Sequence, residues 1–166
     1  MRRLPVLSVA ALGFLSACVR ADAAPERSTA ADAASPRQLP TVVVYKSPTC
    51  GCCEGWIEHL RAAGFQVDAR DVPEYAELLK VKADAEVPNQ LQTCHTALVD
   101  GYVVEGHVPV EQIKRLLADR PDVVGIAVPG MPMGSPGMEG PSAEPYRVYS
   151  WNRDGSGQVY AEIDPR

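Results

Sequence analysis

The stretch from Thr41 to Trp56, "TVVVYKSPTCGCCEGW", constrains the fold more than any other part of the chain. It begins with an uninterrupted β-branched run, the composition of a strand covered on both faces of a sheet. It ends by opening a helix, because Trp56, Ile57, Leu60 and Ala63 fall at helical spacing and Gly64 supplies the stop. Between the two lie Cys50, Cys52 and Cys53. A strand that turns through cysteines into a helix places those thiols at the helix N-terminus, the helix itself starting near Cys53. There, unpaired N–H groups and the helix dipole favour thiolate.

The following segments extend this unit. "FQVDARDV" (65–72) alternates as a second strand, and "PEYAELLKVKA" (73–83) opens a helix with proline at its first position. "HTALVDGYVVEGHV" (95–108) is a hairpin turning at Asp100-Gly101, and "PVEQIKRLLAD" (109–119) a last helix with Ile113, Leu116 and Leu117 on one face. The order β-α-β-α-β-β-α predicts an α/β domain of thioredoxin-like type. Beyond it, "GIAVPGMPMGSPGME" (125–139) reads as an ordered Gly/Pro/Met-rich loop. "YRVYSW" and "GQVYAEI" then flank "NRDGS" as a second β-hairpin, whose attachment to the sheet stays open. Asp68, Asp71, Glu74 and Glu77 read as solvated faces.

Residues 1–17, "MRRLPVLSVAALGFLSA", carry two arginines and an apolar run too short to span a bilayer, the pattern of a signal peptide. They end at Leu15-Ser16-Ala17-Cys18, which resembles a bacterial lipobox. Cys18 is therefore expected to carry a lipid anchor, and Val19 lacks the acidic character of an inner-membrane retention signal, so the expected location is the periplasmic side of the outer membrane. Plain secretion, with cleavage near Ala21 to Ala24, is the alternative. Residues 18–40 are an Ala/Ser/Pro/Asp-rich tether, which leaves 41–166 as the folded domain. A formal charge of -5, 6% aromatic residues and the lack of a basic run argue against nucleic-acid binding.

Cys50 and Cys53 keep the C-x-x-C spacing of thiol oxidoreductases, but Cys52 adds a thiol inside it. Cys94, in "QTCHTALV", supplies a fourth. In thioredoxin-like folds the loop before this strand faces the C-x-x-C helix, with His95 where those proteins carry a cis-proline. Four converging thiolates suit Cu(I), zinc or an iron–sulfur cluster. Adjacent Cys52 and Cys53 grip one ion poorly, yet each can bridge two, which favours a small polynuclear cluster with Cu(I) as the leading choice. The thioethers of Met131, Met133 and Met138 agree with copper, or fill gaps in the core. His95 and His107 are candidate nitrogen ligands or hydrogen-bonded structural histidines, and His59 is expected at the surface. A thiol–disulfide oxidoreductase, with Cys50 as nucleophile and Cys53 as resolving thiol, is the competing function. Purely structural cysteines fit least, since a vicinal pair makes a strained staple.

"TCGCC", "TCHTALVDGYVVEGHVP" and "GIAVPGMPMGSPGM" in this order resemble the periplasmic CopG-type copper-resistance proteins, a thioredoxin-like metal-binding family. The resemblance runs from Thr41 to Ile163. It implies a Cu(I) cluster on Cys50, Cys52, Cys53 and Cys94 and a role in copper resistance, with redox cycling or transfer of copper. Other periplasmic copper-handling proteins would be its partners.

Overall fold

The computed structural model describes residues 38–166; the leader, Cys18 and most of the tether lie outside the described residues. The elements are β1 (Val42–Lys46), α1 (Gly51–Ala62), β2 (Val67–Asp71), α2 (Tyr75–Asp84), β3 (His95–Val99), β4 (Tyr102–Gly106), α3 (Val110–Asp119), β5 (Gly125–Val128), β6 (Tyr146–Trp151) and β7 (Gly157–Ile163). They build one seven-stranded sheet in the order β2-β1-β3-β4-β5-β6-β7. β1 runs parallel to β2 and β4 to β5, and the remaining neighbours are antiparallel. No helix among the described residues is long and apolar enough to cross a membrane.

The expected β-α-β-α-β-β-α order is present, with two differences and the one open point, the attachment of the terminal hairpin, now visible. "GIAV", read as the start of a loop, is the strand β5, and the loop begins only at Pro129. Its glycine is required by packing: a Cβ on Gly125 would overlap the Val103 carbonyl and approach Trp151 Cη2 to 2.6 Å. The terminal hairpin continues the sheet through β5–β6 pairing. Finally, Pro73 lies outside α2, whose N-cap is Glu74, because the chain stays extended there after leaving β2.

Each sheet face buries its own set of side chains. On one, α1 and α3 pack Trp56, Ile57, Leu60, Ile113 and Leu116 against Val42, Val44, Ala97, Val104 and Ile126, with Leu117 half-buried at the margin. On the other, Val103, Ala127 and Trp151 join Val87 and Leu91, the residues that follow α2. β1 is more lopsided than its sequence suggests, since Val42 and Val44 are buried while Val43 and Tyr45 are only half so. α1 stops as anticipated: Gly64 adopts φ +93, and the Phe65 amide donates back to the Leu60 carbonyl at 3.1 Å. The Asp100-Gly101 turn has positive φ at both residues, the backbone of a tight hairpin with the strands' own twist.

Candidate metal centre

The centre forms where β1 ends, α1 begins and β3 starts. α1 begins two residues before the position expected, so that Cys50 is its N-cap and Cys52 and Cys53 lie in its first turn. Cys50 makes no side-chain capping bond, which leaves the positive end of the helix open to sulfur. β1–β3 pairing sets Lys46 opposite His95 and so carries the preceding Cys94 to the same end of the sheet. All four sulfurs lie within 4.8 Å of one another. Cys50 and Cys53 are joined as a disulfide, whereas Cys52 and Cys94 are free and half-buried.

Two histidines border the sulfurs. Cys94 Sγ lies 3.4 Å from His95 Nδ1 and 3.2 Å from His107 Nε2. His107 Nδ1 donates to the Pro136 carbonyl at 2.8 Å, which leaves the Nε2 lone pair directed at the sulfur. His95 is fully buried against Trp56, with ring centroids 4.4 Å apart, and its Nε2 has no partner. Trp56 is itself held by donating to the Val108 carbonyl at 2.8 Å.

Burial, reinforced for His95 by His107 and the Lys82 ammonium, pushes both imidazoles below their ordinary value of 6.5. Burial also pushes the Cys94 thiol up to about 12, with the neighbouring Cys52 adding to the rise and Lys82 opposing it. Because the folded histidines resist a proton that the unfolded chain accepts, the unfolded state binds more protons below 6.5. Folding stability therefore falls as pH drops through that range, by up to about 1.4 kcal/mol per pH unit for each ring. In urea titrations of metal-free protein between about pH 7 and about pH 5, His107→Gln should show a shallower loss than the parent. Equal slopes would contradict this origin.

The Met-rich loop is fastened to the centre, though its sulfurs differ in exposure. Gly137, at φ +84, sits on the first turn of α1, where a Cβ would overlap the Cys52 carbonyl and approach Trp56 N to 2.7 Å. Glu139 accepts from the Gly137 amide and pairs with exposed His59 at 2.6 Å, and those bonds, the amide's first, hold its carboxyl below the usual range. Met131 is 47% exposed, while Met133 and Met138 are half-buried.

Sequence reading missed the polar supports of the centre. Lys46, fully buried at the end of β1, pairs with Glu54 of α1 at 2.6 Å and Asp71 of β2 at 2.7 Å, so Asp71 is more than a solvated face. Burial disfavours the Lys46 charge, but the bonds it donates to Asp71 and Glu54 outweigh that and raise its pKa above the ordinary 10.5. On the opposite face of the sheet, Lys82 and Glu105 form a fully buried pair at 2.6 Å. Thr96 bonds to both, and Glu105 accepts the Thr93 amide at 2.6 Å, next to Cys94. The available signal was a lysine four positions after Leu78, on the apolar side of α2.

Topology and ligand geometry together define a thioredoxin-like domain with a thiol and imidazole cluster able to hold metal. The family model described as "Protein of unknown function, DUF411" matches residues 91–138, which contain Cys94, His95, His107 and the Met-rich loop. Two solved structures, "Copper resistance protein copG- Form 1" and "Copper resistance protein copG- Form 2", are 43% and 44% identical, with TM-scores of 0.69 and 0.68. Each comparison covers 75% of this chain and 98% of the solved chain. No curated protein matches the chain. The chain belongs to the CopG family of copper-resistance proteins, and the likeness bears out the expected fold class.

Proposed function

We propose that this protein handles copper in the cell envelope, carrying several Cu(I) ions as cargo in a thiolate-bridged cluster on Cys50, Cys52, Cys53 and Cys94. The observation that carries the reading is the convergence of four sulfurs within 4.8 Å at an uncapped helix N-terminus. Membership in a family whose solved members are titled copper resistance proteins supports copper as the metal. Soft thiolates favour Cu(I) over harder ions, and adjacent cysteines serve neighbouring ions better than a single one. Loading requires the Cys50–Cys53 disulfide to open, a step that consumes two electrons and two protons from a thiol reductant and yields two thiols. Each thiol then gives up its proton as it binds metal.

Bridging makes a specific demand on Cys52, the residue a plain dithiol site does not need. After anaerobic loading with Cu(I) and desalting, Cys52→Ser is expected to retain at least one copper fewer per chain than the parent. Identical loading would refute the bridged cluster. Sequestration and release of this cargo, linked to opening and closing of the disulfide, would serve copper resistance through exchange with other periplasmic copper-handling proteins. The resemblance of Leu15-Ser16-Ala17-Cys18 to a lipobox supports a lipid anchor on Cys18 and a position on the periplasmic side of the outer membrane, and a diacylglyceryl adduct in the intact mass of the mature chain would test it.

The disulfide also favours a second reading, a thiol–disulfide oxidoreductase using Cys50 and Cys53. Turnover of a disulfide-bonded protein substrate by the reduced chain distinguishes it from a carrier.

A further inference from the structure

We infer that Glu105 is a positioning residue for the metal centre: its buried carboxylate, balanced by Lys82, anchors the Thr93 amide and thereby fixes the irregular stretch that carries Cys94. The inference rests on the copper-handling reading and adds to it a residue that touches no metal yet sets where one sulfur of the cluster stands. Gln92, Thr93 and Cys94 lie between the short helical turn Asn89–Leu91 and the start of β3, outside any helix or strand. A ligand on such a stretch is held in place only if hydrogen bonds and packing tie down the backbone beside it.

The carboxylate is placed to do this. Its register partner across the β3–β4 pair is Thr96, whose hydroxyl donates to it at 2.7 Å, yet it also reaches past the strand end and accepts the Thr93 amide at 2.6 Å. The Thr93 hydroxyl donates to the same oxygen at 3.4 Å, so backbone and side chain of one residue converge on one acceptor. Next to Glu105, Gly106 stands at φ +73, and a Cβ there would come to 2.5 Å from Thr93 Oγ1, so the strand and the stretch meet without room for a side chain. His107 follows, with Nε2 3.2 Å from Cys94 Sγ. The end of β4 therefore sets both sides of that contact, holding the residue before Cys94 through Glu105 and supplying the imidazole through His107.

Stability alone does not account for the pair. Glu105 and Lys82 are fully buried, and their carboxylate and ammonium meet at 2.6 Å. Apolar side chains in place of a buried ion pair are often neutral or stabilising, so the charges add little to the fold that leucine and methionine would not. A carboxylate differs from these in being an acceptor, and an ionised one makes shorter and stronger bonds to a backbone amide than a neutral group does. Lys82 compensates that charge inside the sheet and donates to Thr96 Oγ1 at 2.9 Å as well. The anchor is thus the oxygen that meets the Thr93 amide, with Lys82 as its counter-ion.

The test compares Lys82→Met/Glu105→Leu with Lys82→Met/Glu105→Gln in the full-length chain. Both remove the two charges, but glutamine keeps an oxygen for the Thr93 amide and leucine does not. In chelator competition with the reduced chain, the leucine variant should bind Cu(I) about 10–100-fold more weakly than the parent, and the glutamine variant within about threefold of it. In the metal-free chain with its disulfide intact, Cys94 should react with iodoacetamide several-fold faster in the leucine variant than in the glutamine variant, as read from the mass of its peptide. Equal Cu(I) affinity in the two variants, whether both hold copper as the parent does or both lose it, overturns the inference. Should the leucine variant fail to melt cooperatively, hydrogen exchange in the parent decides: a protected Thr93 amide is expected, and an unprotected one overturns the anchor. A parent that holds no copper sinks the cluster reading instead, and the Cys94 reactivities then decide this inference by themselves.

Discussion

Replacing Glu105 with leucine is expected to lower the unfolding free energy by about 3–5 kcal/mol, the usual cost of stranding one partner of a buried ion pair. Lys82 would keep its ammonium fully buried, with only the Thr96 hydroxyl as partner, and the Thr93 amide would lose its acceptor. Lys82→Met should cost a similar amount by stranding the carboxylate. The double variant should recover much of the loss, because a buried pair replaced by apolar side chains is often nearly neutral. Recovery should stay incomplete, since the Thr93 amide remains without its acceptor at about 1–3 kcal/mol. Urea denaturation of the four proteins would measure this; a single-variant loss below about 1 kcal/mol would show that water reaches the pair.

Cys94→Ser is expected to reduce Cu(I) affinity by more than about 100-fold, beyond the 10–100-fold typical of losing a ligand's supporting partner. Cys50, Cys52 and Cys53 all come from the start of α1, so Cys94 is the sulfur that closes the cluster from the β3 side. Serine at this position offers a hard oxygen, which Cu(I) binds poorly. The fold should survive, because Cys94 is half-buried and lies outside the main core cluster. Competition against a Cu(I) chelator would report the affinity, with a thermal melt beside it. Retention of parental affinity would exclude Cys94 from the cluster.

The contrast between these two sites explains what the sequence could reveal. The thiol centre was legible because it rests on local features: a β-branched strand, closely spaced cysteines, and a helix period ended by Gly64. Placing Cys94 beside them needed the likeness to thioredoxin-like folds, in which the loop before this strand faces the C-x-x-C helix. The Lys82–Glu105 pair was hidden because no local pattern in "YVVEG" marks Glu105 as buried, whereas in the fold Lys82 of α2 covers it. β5 was concealed by the Gly/Pro-rich segment after it, and four apolar residues show no period by which to separate strand from loop. The bond from His107 to Pro136 joins residues far apart in the chain, and no local pattern announces it. For the same reason, His107 could be named as a candidate ligand from sequence, but its tautomer could not.

The most direct test of the account is the copper content of the reduced full-length chain after anaerobic Cu(I) loading and desalting, read beside the number of titratable thiols. The account predicts more than one copper per chain, with Cys50, Cys52, Cys53 and Cys94 all protected from a thiol reagent. One copper or none, with three or four of those thiols still reactive, would contradict it.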